Sequence, residues 1–120
     1  MGGAGATPQQ EPLAFFICSG YNIARMPFEI ILSPEAVRDF RGLRAPERRA
    51  IRQALELHLR HAPTKTSRSR IKRLRGVLRP QFRLRVEDFR IFYDVVEGEV
   101  QVIAIVAKAD ANEWLRKVGE

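Results

Sequence analysis

A chain of 120 residues with 45% apolar content supports one compact domain around a single core and leaves no room for two. Twenty-one Lys and Arg against 14 Asp and Glu give a formal net charge of +7 and a pI near 10.5, which directs attention to a polyanionic partner: nucleic acid, an anionic membrane surface or an acidic protein segment. The one cysteine, Cys18, excludes an intramolecular disulfide framework and a cysteine-built zinc site and fits a reducing cytoplasm.

Residues 1–25 are rich in Gly, Pro and Gln (Gly2, Gly3, Gly5, Pro8, Gln9, Gln10, Pro12) and lack a sustained period, so a disordered N-terminal extension is expected there. Its apolar run, Leu13 to Cys18, is far too short to span a bilayer. The first basic residue, Arg25, follows that run instead of preceding it, the reverse of a secretory signal. No membrane association is expected, and the folded domain is predicted over residues 26–120, beginning at Met26.

Phe28 to Leu32 reads as a short strand, after which Ser33-Pro34-Glu35 supplies a helix cap, a first-turn proline and a first-turn acid. In the helix that follows, Val37, Phe40 and Leu43 or Arg44 share one buried face, while Arg38, Asp39 and Arg41 point outward. Pro46 restarts a second helix with the apolar stripe Ile51, Ala54, Leu55 and Leu59 and with Arg48, Arg49, Arg52 and Arg60 on its wet side; Pro63 stops it. His58 and His61, at its end, are expected to be structural or solvent-exposed. Four strands are predicted next: Ile71 to Arg75, Gln81 to Val86, Phe89 to Val96 and Glu99 to Val106, the last three forming an antiparallel meander with turns at Glu87-Asp88 and Glu97-Gly98. A last helix over about Ala109 to Lys117 closes the chain, with Trp114 anchoring it to the sheet and Asp110 and Glu113 at its surface.

A two-residue turn at Glu87-Asp88 fixes the register, pairing Val86 with Phe89, Arg85 with Arg90, Leu84 with Ile91 and Arg83 with Phe92. Phe82, Leu84, Val86, Phe89, Ile91 and Tyr93 then share the face the helices cover. Arg83, Arg85 and Arg90 share the other. Like charges directly opposite one another cost roughly a few tenths to 1 kcal/mol, a cost an anion would offset, and the arginine fork matches phosphate. Between Lys65 and Arg90 there are ten Lys or Arg and two acids, Glu87 and Asp88, so the positive field extends through Lys65, Arg68, Arg70, Lys72, Arg73, Arg75 and Arg79. The plainer alternative is a solvated sheet face with Asp94 or Glu99 pairing some of the arginines.

Met26-Pro-Phe-Glu-Ile-Ile-Leu-Ser-Pro-Glu-Ala36, Ile71-Lys-Arg-Leu-Arg-Gly76, Phe82-Arg-Leu-Arg-Val86, Phe89-Arg-Ile-Phe-Tyr-Asp94 and Val106-Ala-Lys108, in that order and spacing, resemble the RelE/ParE toxin superfamily of type II toxin–antitoxin systems. The resemblance implies an α+β fold, a helical hairpin packed on a mainly antiparallel sheet in the order β-α-α-β-β-β-α. It implies a cognate antitoxin as partner, with DNA bound only indirectly through the antitoxin complex. Members resembling RelE cut mRNA in the ribosomal A site without a metal, driving the ribose 2′-hydroxyl onto the adjacent phosphate. By motif position Arg90 matches the phosphate-contacting arginine, Arg83 and Arg85 the two basic strand residues, and Arg75 another basic contact.

Those three strand arginines are the candidate catalytic residues; Arg75, Arg73, Lys72, Arg79 and Lys108 are the candidate nucleic-acid contacts. Ala109 and Leu115 stand where the family's late arginine and terminal tyrosine fall. That departure leaves two alternatives open, a ParE-like toxin acting on DNA gyrase and a degenerate toxin acting only in a repressor complex with its antitoxin. The sequence has no glycine-rich phosphate loop and no metal-ligand spacing, so neither cofactor nor metal is expected.

Overall fold

A computed structural model describes residues 27–118. The expectation for residues 1–25, Cys18 included, lies outside the described residues. The elements run β1 (Glu29–Leu32), α1 (Pro34–Arg41), α2 (Ala45–Ala54), β2 (Ile71–Arg73), β3 (Phe82–Val86), β4 (Phe89–Val96), β5 (Glu99–Ala107) and α3 (Ala111–Val118), the last preceded by a 3-10 turn at Lys108–Asp110. This is the expected α+β fold, with the short strand β2, predicted from Ile71 onward, added to the order that the resemblance implies. The strands form one sheet in the order β1-β5-β4-β3-β2, antiparallel except for β1 against β5.

Ser33 caps α1 as the sequence predicts: its hydroxyl accepts a hydrogen bond from the Ala36 amide at 3.0 Å. The same hydroxyl donates to the Ile103 carbonyl at 2.8 Å. That second bond has a reason in the sheet. Phe92 pairs with Ala104 and Tyr93 with Val102, so Ile103 is an extra residue in β5 at a bulge, and β1 ends opposite Val102. Beyond Val102 the edge of β5 is open, and α1 takes over from β1 in satisfying it. Asp39 Oδ2 accepts the Ile105 amide at 3.0 Å. Asp39 therefore does not point outward as expected; a strand-edge amide 66 residues away along the chain draws it in.

Helix α2 begins with the Arg44 amide donating to Glu47 Oε1 at 3.0 Å and continues past Ala54 as a wider π turn over Leu55–Leu59. The predicted stripe is buried, with Ile51 and Leu59 fully so and Ala54 and Leu55 nearly so. Together with Ala36 it covers Leu84, Val86, Ile91, Tyr93, Val100 and Val102 on one sheet face. Phe40 and Leu43 pack at the rim of this cluster, and the Arg52 guanidinium lies 5.7 Å from the centre of the Phe40 ring.

Tyr93 is core, as its place in the register requires. Its ring stacks on Phe82 at 5.5 Å and its hydroxyl donates to the Pro63 carbonyl at 2.6 Å, tying the end of the helical hairpin to the central strand. Burial pushes the phenol above its ordinary value and keeps it a donor. Tyr93→Phe is expected to cost about 1–2 kcal/mol, since it removes a buried bond and leaves the carbonyl unpaired. Urea unfolding reads this directly; an unchanged midpoint would show that the bond contributes nothing.

The second face is not open. Phe92 and its partner Ala104 are fully buried there, and Trp114 of α3 stacks on Phe92 at 4.7 Å with the rings within 11° of parallel. Trp114 Nε1 donates to Glu35 Oε2 at 2.9 Å, so α3 is fixed to the first turn of α1 as well. The anchoring role expected of Trp114 is the one it has.

Candidate nucleic-acid interface

The hairpin joining β3 to β4 has the predicted register, with Arg85 opposite Arg90 and Arg83 opposite Phe92. Strand alternation then sets Arg83, Arg85 and Arg90 on the face that carries Phe92. They differ sharply in exposure. Arg85 is exposed, Arg83 is half-buried, and Arg90 is only 8% exposed.

Arg90 is held by the turn itself. Its Nη1 donates to the carbonyls of Glu87 at 3.1 Å and Phe89 at 2.9 Å. Glu87 adopts φ 51, a left-handed conformation that costs a non-glycine residue roughly 1–2 kcal/mol. Two backbone dipoles, one of them on a strained residue, thus orient a guanidinium that no carboxylate among the described residues neutralises. Gly98 meets the same demand in the β4–β5 turn, at φ 70, without that cost.

Arg83 carries the clearest sign that the cluster lacks a counter-ion. Its Nε is buried with no hydrogen-bond partner among the described residues. Burial, and then the charges of Arg90 and Arg85, hold its guanidinium below the ordinary arginine value. Among the described residues none of the three arginines lies within salt-bridge distance of an acid. Asp94, which the plainer reading offered as their counter-ion, is occupied elsewhere: Oδ2 accepts from Arg79 Nε at 2.6 Å and Oδ1 from the Gln81 amide at 2.7 Å. Glu99 accepts from Gln101 Nε2 at 3.2 Å.

The surrounding candidates divide. Lys72 pairs with Arg83 across β2 and β3 and is exposed on the cluster's face. Arg73 pairs with Phe82, and its guanidinium lies 5.3 Å from the centre of that ring, which puts it on the face the helices cover and away from the cluster. Arg79 is tied to Asp94, four residues along β4 from Arg90, or about 13 Å at strand rise. Arg75 is exposed in the segment after β2, which ends at Arg73 and not at Arg75 as expected. The Lys108 amide donates to the Asp88 carbonyl at 2.7 Å, so this exposed residue stands beside the turn that holds Arg90.

The sequence places Lys65 and Arg70 in the positive field but does not foresee that they meet His58. His58, Lys65 and Arg70 line a single cleft between the π turn and β2. The one signal for it was the run Lys65-Thr66-Ser67-Arg68-Ser69-Arg70, which combines hydroxyls and cations without an acid. Among the described residues no group of three or more His, Cys, Asp or Glu is placed to hold a metal ion, and no helix is long and apolar enough to cross a membrane.

The arrangement presents three arginines, two of them partly withdrawn from water, on two rigid strands beside an aromatic wall. It can grip a phosphate and stabilise charge growing on it.

A family model described as the ParE toxin of the type II toxin–antitoxin system, parDE, matches residues 30–111. Solved structures share the fold. A chain of the RelBE2 toxin–antitoxin complex from Mycobacterium tuberculosis superposes with a TM-score of 0.60 at 22% identity, over 71% of this chain and 95% of that one. The isolated RelE toxin of E. coli gives 0.57 at 17% identity, over 76% and 98%. A chain of the archaeal RelE–RelB complex from Pyrococcus horikoshii OT3 gives 0.56 at 15%, over 68% and 94%. No curated protein is significantly similar in sequence.

Proposed function

The chain belongs to the ParE toxin family of type II toxin–antitoxin systems, within the RelE/ParE superfamily, and from that premise we propose that it is a metal-independent endoribonuclease that cuts mRNA on the ribosome. The observation that carries this reading is the cluster of Arg83, Arg85 and Arg90, which no acid among the described residues neutralises and in which the buried Arg83 Nε has no partner there. A toxin whose only task is to dock on another protein has no need to gather three arginines on one sheet face, two of them directly opposite one another, at the expense of stability.

In the proposed reaction the RNA's own 2′-hydroxyl gives its proton to water as its oxygen attacks the neighbouring phosphorus, the bond to the 5′-oxygen of the next nucleotide breaks, and that oxygen takes a proton from water, leaving a 2′,3′-cyclic phosphate and a 5′-hydroxyl. Arg90 and Arg85 stabilise the extra negative charge on the phosphorane, where donors fixed in advance count most. Lys72 and Lys108 neutralise flanking phosphates. The partner that keeps this activity in check is a cognate antitoxin; several proteins sharing the fold were solved as complexes with one.

A second reading, a ParE-like toxin acting on DNA gyrase, draws on a specific observation. Ala109 and Leu115 stand where RelE-type members carry an arginine and a tyrosine, and the matching family model is the ParE one. Growth separates the site from the scaffold. Induction of the full chain in a bacterial host is expected to arrest growth, and the double variant Arg85→Ala/Arg90→Ala, shown folded by circular dichroism, is expected not to. Undiminished arrest by the folded variant would remove the arginine face from the mechanism.

A further inference from the structure

A cleft of about 300 Å³ lies where the π turn Leu55–Leu59 and the segment leading into β2 meet. Its polar lining is His58, Lys65, Thr66, Ser67, Ser69 and Arg70, with Leu57 and Ile71 as apolar walls; among the described residues no carboxylate lines it. Two cations, an imidazole and three hydroxyls around a space of this size make a composition that attracts an anion and offers it donors. Its volume is at the lower end for small-molecule sites and admits a phosphate together with its sugar. The loop is shaped from within: Ser67 Oγ accepts the amides of Arg70 at 3.0 Å and Ile71 at 3.3 Å, and the Ser67 amide donates to the Ile71 carbonyl at 2.9 Å. Glu56, the nearest acid along the π turn, is engaged with Arg60.

The backbone at the cleft is bonded to the strand that carries Arg83 and Arg85. The Arg85 amide donates to the Arg70 carbonyl at 2.9 Å, so the backbone carrying Arg70 is bonded to that of the most exposed arginine of the cluster. We propose that the cleft is a second phosphate site, gripped by Lys65 and Arg70 and closed by His58, which holds a phosphate group of the RNA strand as it leaves the arginine face. The source of that phosphate as RNA rests on the ribonuclease reading; the anion site itself does not.

In the free protein burial, and then the charge of Arg70, hold His58 below the ordinary histidine value, so that it is neutral near pH 7. A bound phosphate would oppose both causes and raise it, which makes His58 a reporter within the site. The test follows the His58 imidazole by NMR through a pH titration of the full chain, alone, with inorganic phosphate, and with a short single-stranded RNA made uncleavable by 2′-O-methylation. Both probes are expected to raise the His58 value by about one unit. The rise should vanish in Lys65→Gln/Arg70→Gln, whose own baseline is measured without probe.

A rise with phosphate and with RNA supports a site on the RNA path. A rise with phosphate alone keeps the anion site and assigns it to a free phosphate ester. No rise with either probe overturns the proposal, as does an undiminished rise in the double variant. Neither outcome touches the ribonuclease reading, which is decided by RNA ends and not by this histidine.

Discussion

Replacing Arg90 by alanine is expected to lower RNA cleavage roughly 100- to 1,000-fold, the loss typical of removing one fixed donor to a developing oxyanion. Three features make Arg90 the most sensitive of the cluster. It is withdrawn from solvent, where each charge–charge interaction is stronger than in water. Its Nη1 is fixed by the carbonyls of Glu87 and Phe89, so no side-chain entropy is lost when the substrate arrives. The rest of its fork has no acidic partner among the described residues. Alanine also strands two carbonyls at a turn open to water, for a cost in stability of about 1 kcal/mol. Urea unfolding of the same variant separates that cost from the catalytic one. Arg90→Lys supplies the second arm: it keeps the charge but loses the planar fork, and an intermediate rate is expected. Unimpaired cleavage by a folded Arg90→Ala variant would eliminate the role assigned to this residue.

Phe92→Ala should be the most damaging single change to the fold. The side chain is fully buried on the sheet face opposite the helical hairpin, and the parallel ring of Trp114 is what ties α3 to that face. Truncating a buried phenylalanine costs about 3–5 kcal/mol, to which the lost stack adds about 0.5–1.5 kcal/mol. Against a typical total of about 5–15 kcal/mol, such a variant sits close to the threshold of folding. The chain has one tryptophan, so its emission reports on this contact without labelling. A red shift together with a lowered melting temperature is expected. Phe92→Leu, which keeps most of the volume, should retain the fold and lose only the stack. If Phe92→Ala left both emission and melting temperature unchanged, α3 would be held by something other than this pair.

Much of the fold could be read from local rules. Period-two alternation and a turn of two residues place Phe82, Leu84 and Val86 opposite Tyr93, Ile91 and Phe89, and the structure pairs them so. The same rules separate Arg83, Arg85 and Arg90 from the core. Ser33 announced α1 because capping depends on a neighbour only three residues on. What stayed hidden depends on partners distant in sequence. Asp39 looked like a surface acid until a bulge in β5 left the Ile105 amide facing it. Arg79 looked like part of the phosphate track until Asp94 took it. Arg73 is assigned to the helix-covered face only by its pairing with Phe82, a register that no tight turn fixes. The cleft around His58 needed both the π turn and the Lys65–Arg70 segment, which meet only in the folded chain.

Mapping the 5′ ends of cellular mRNA within minutes of inducing the full chain measures most directly what the arginine face does to RNA. New ends within translated codons, present for the intact chain and absent for Arg90→Ala, are the predicted result. Growth arrest with no new mRNA ends and with broken or relaxed DNA would contradict it and leave the gyrase reading in its place.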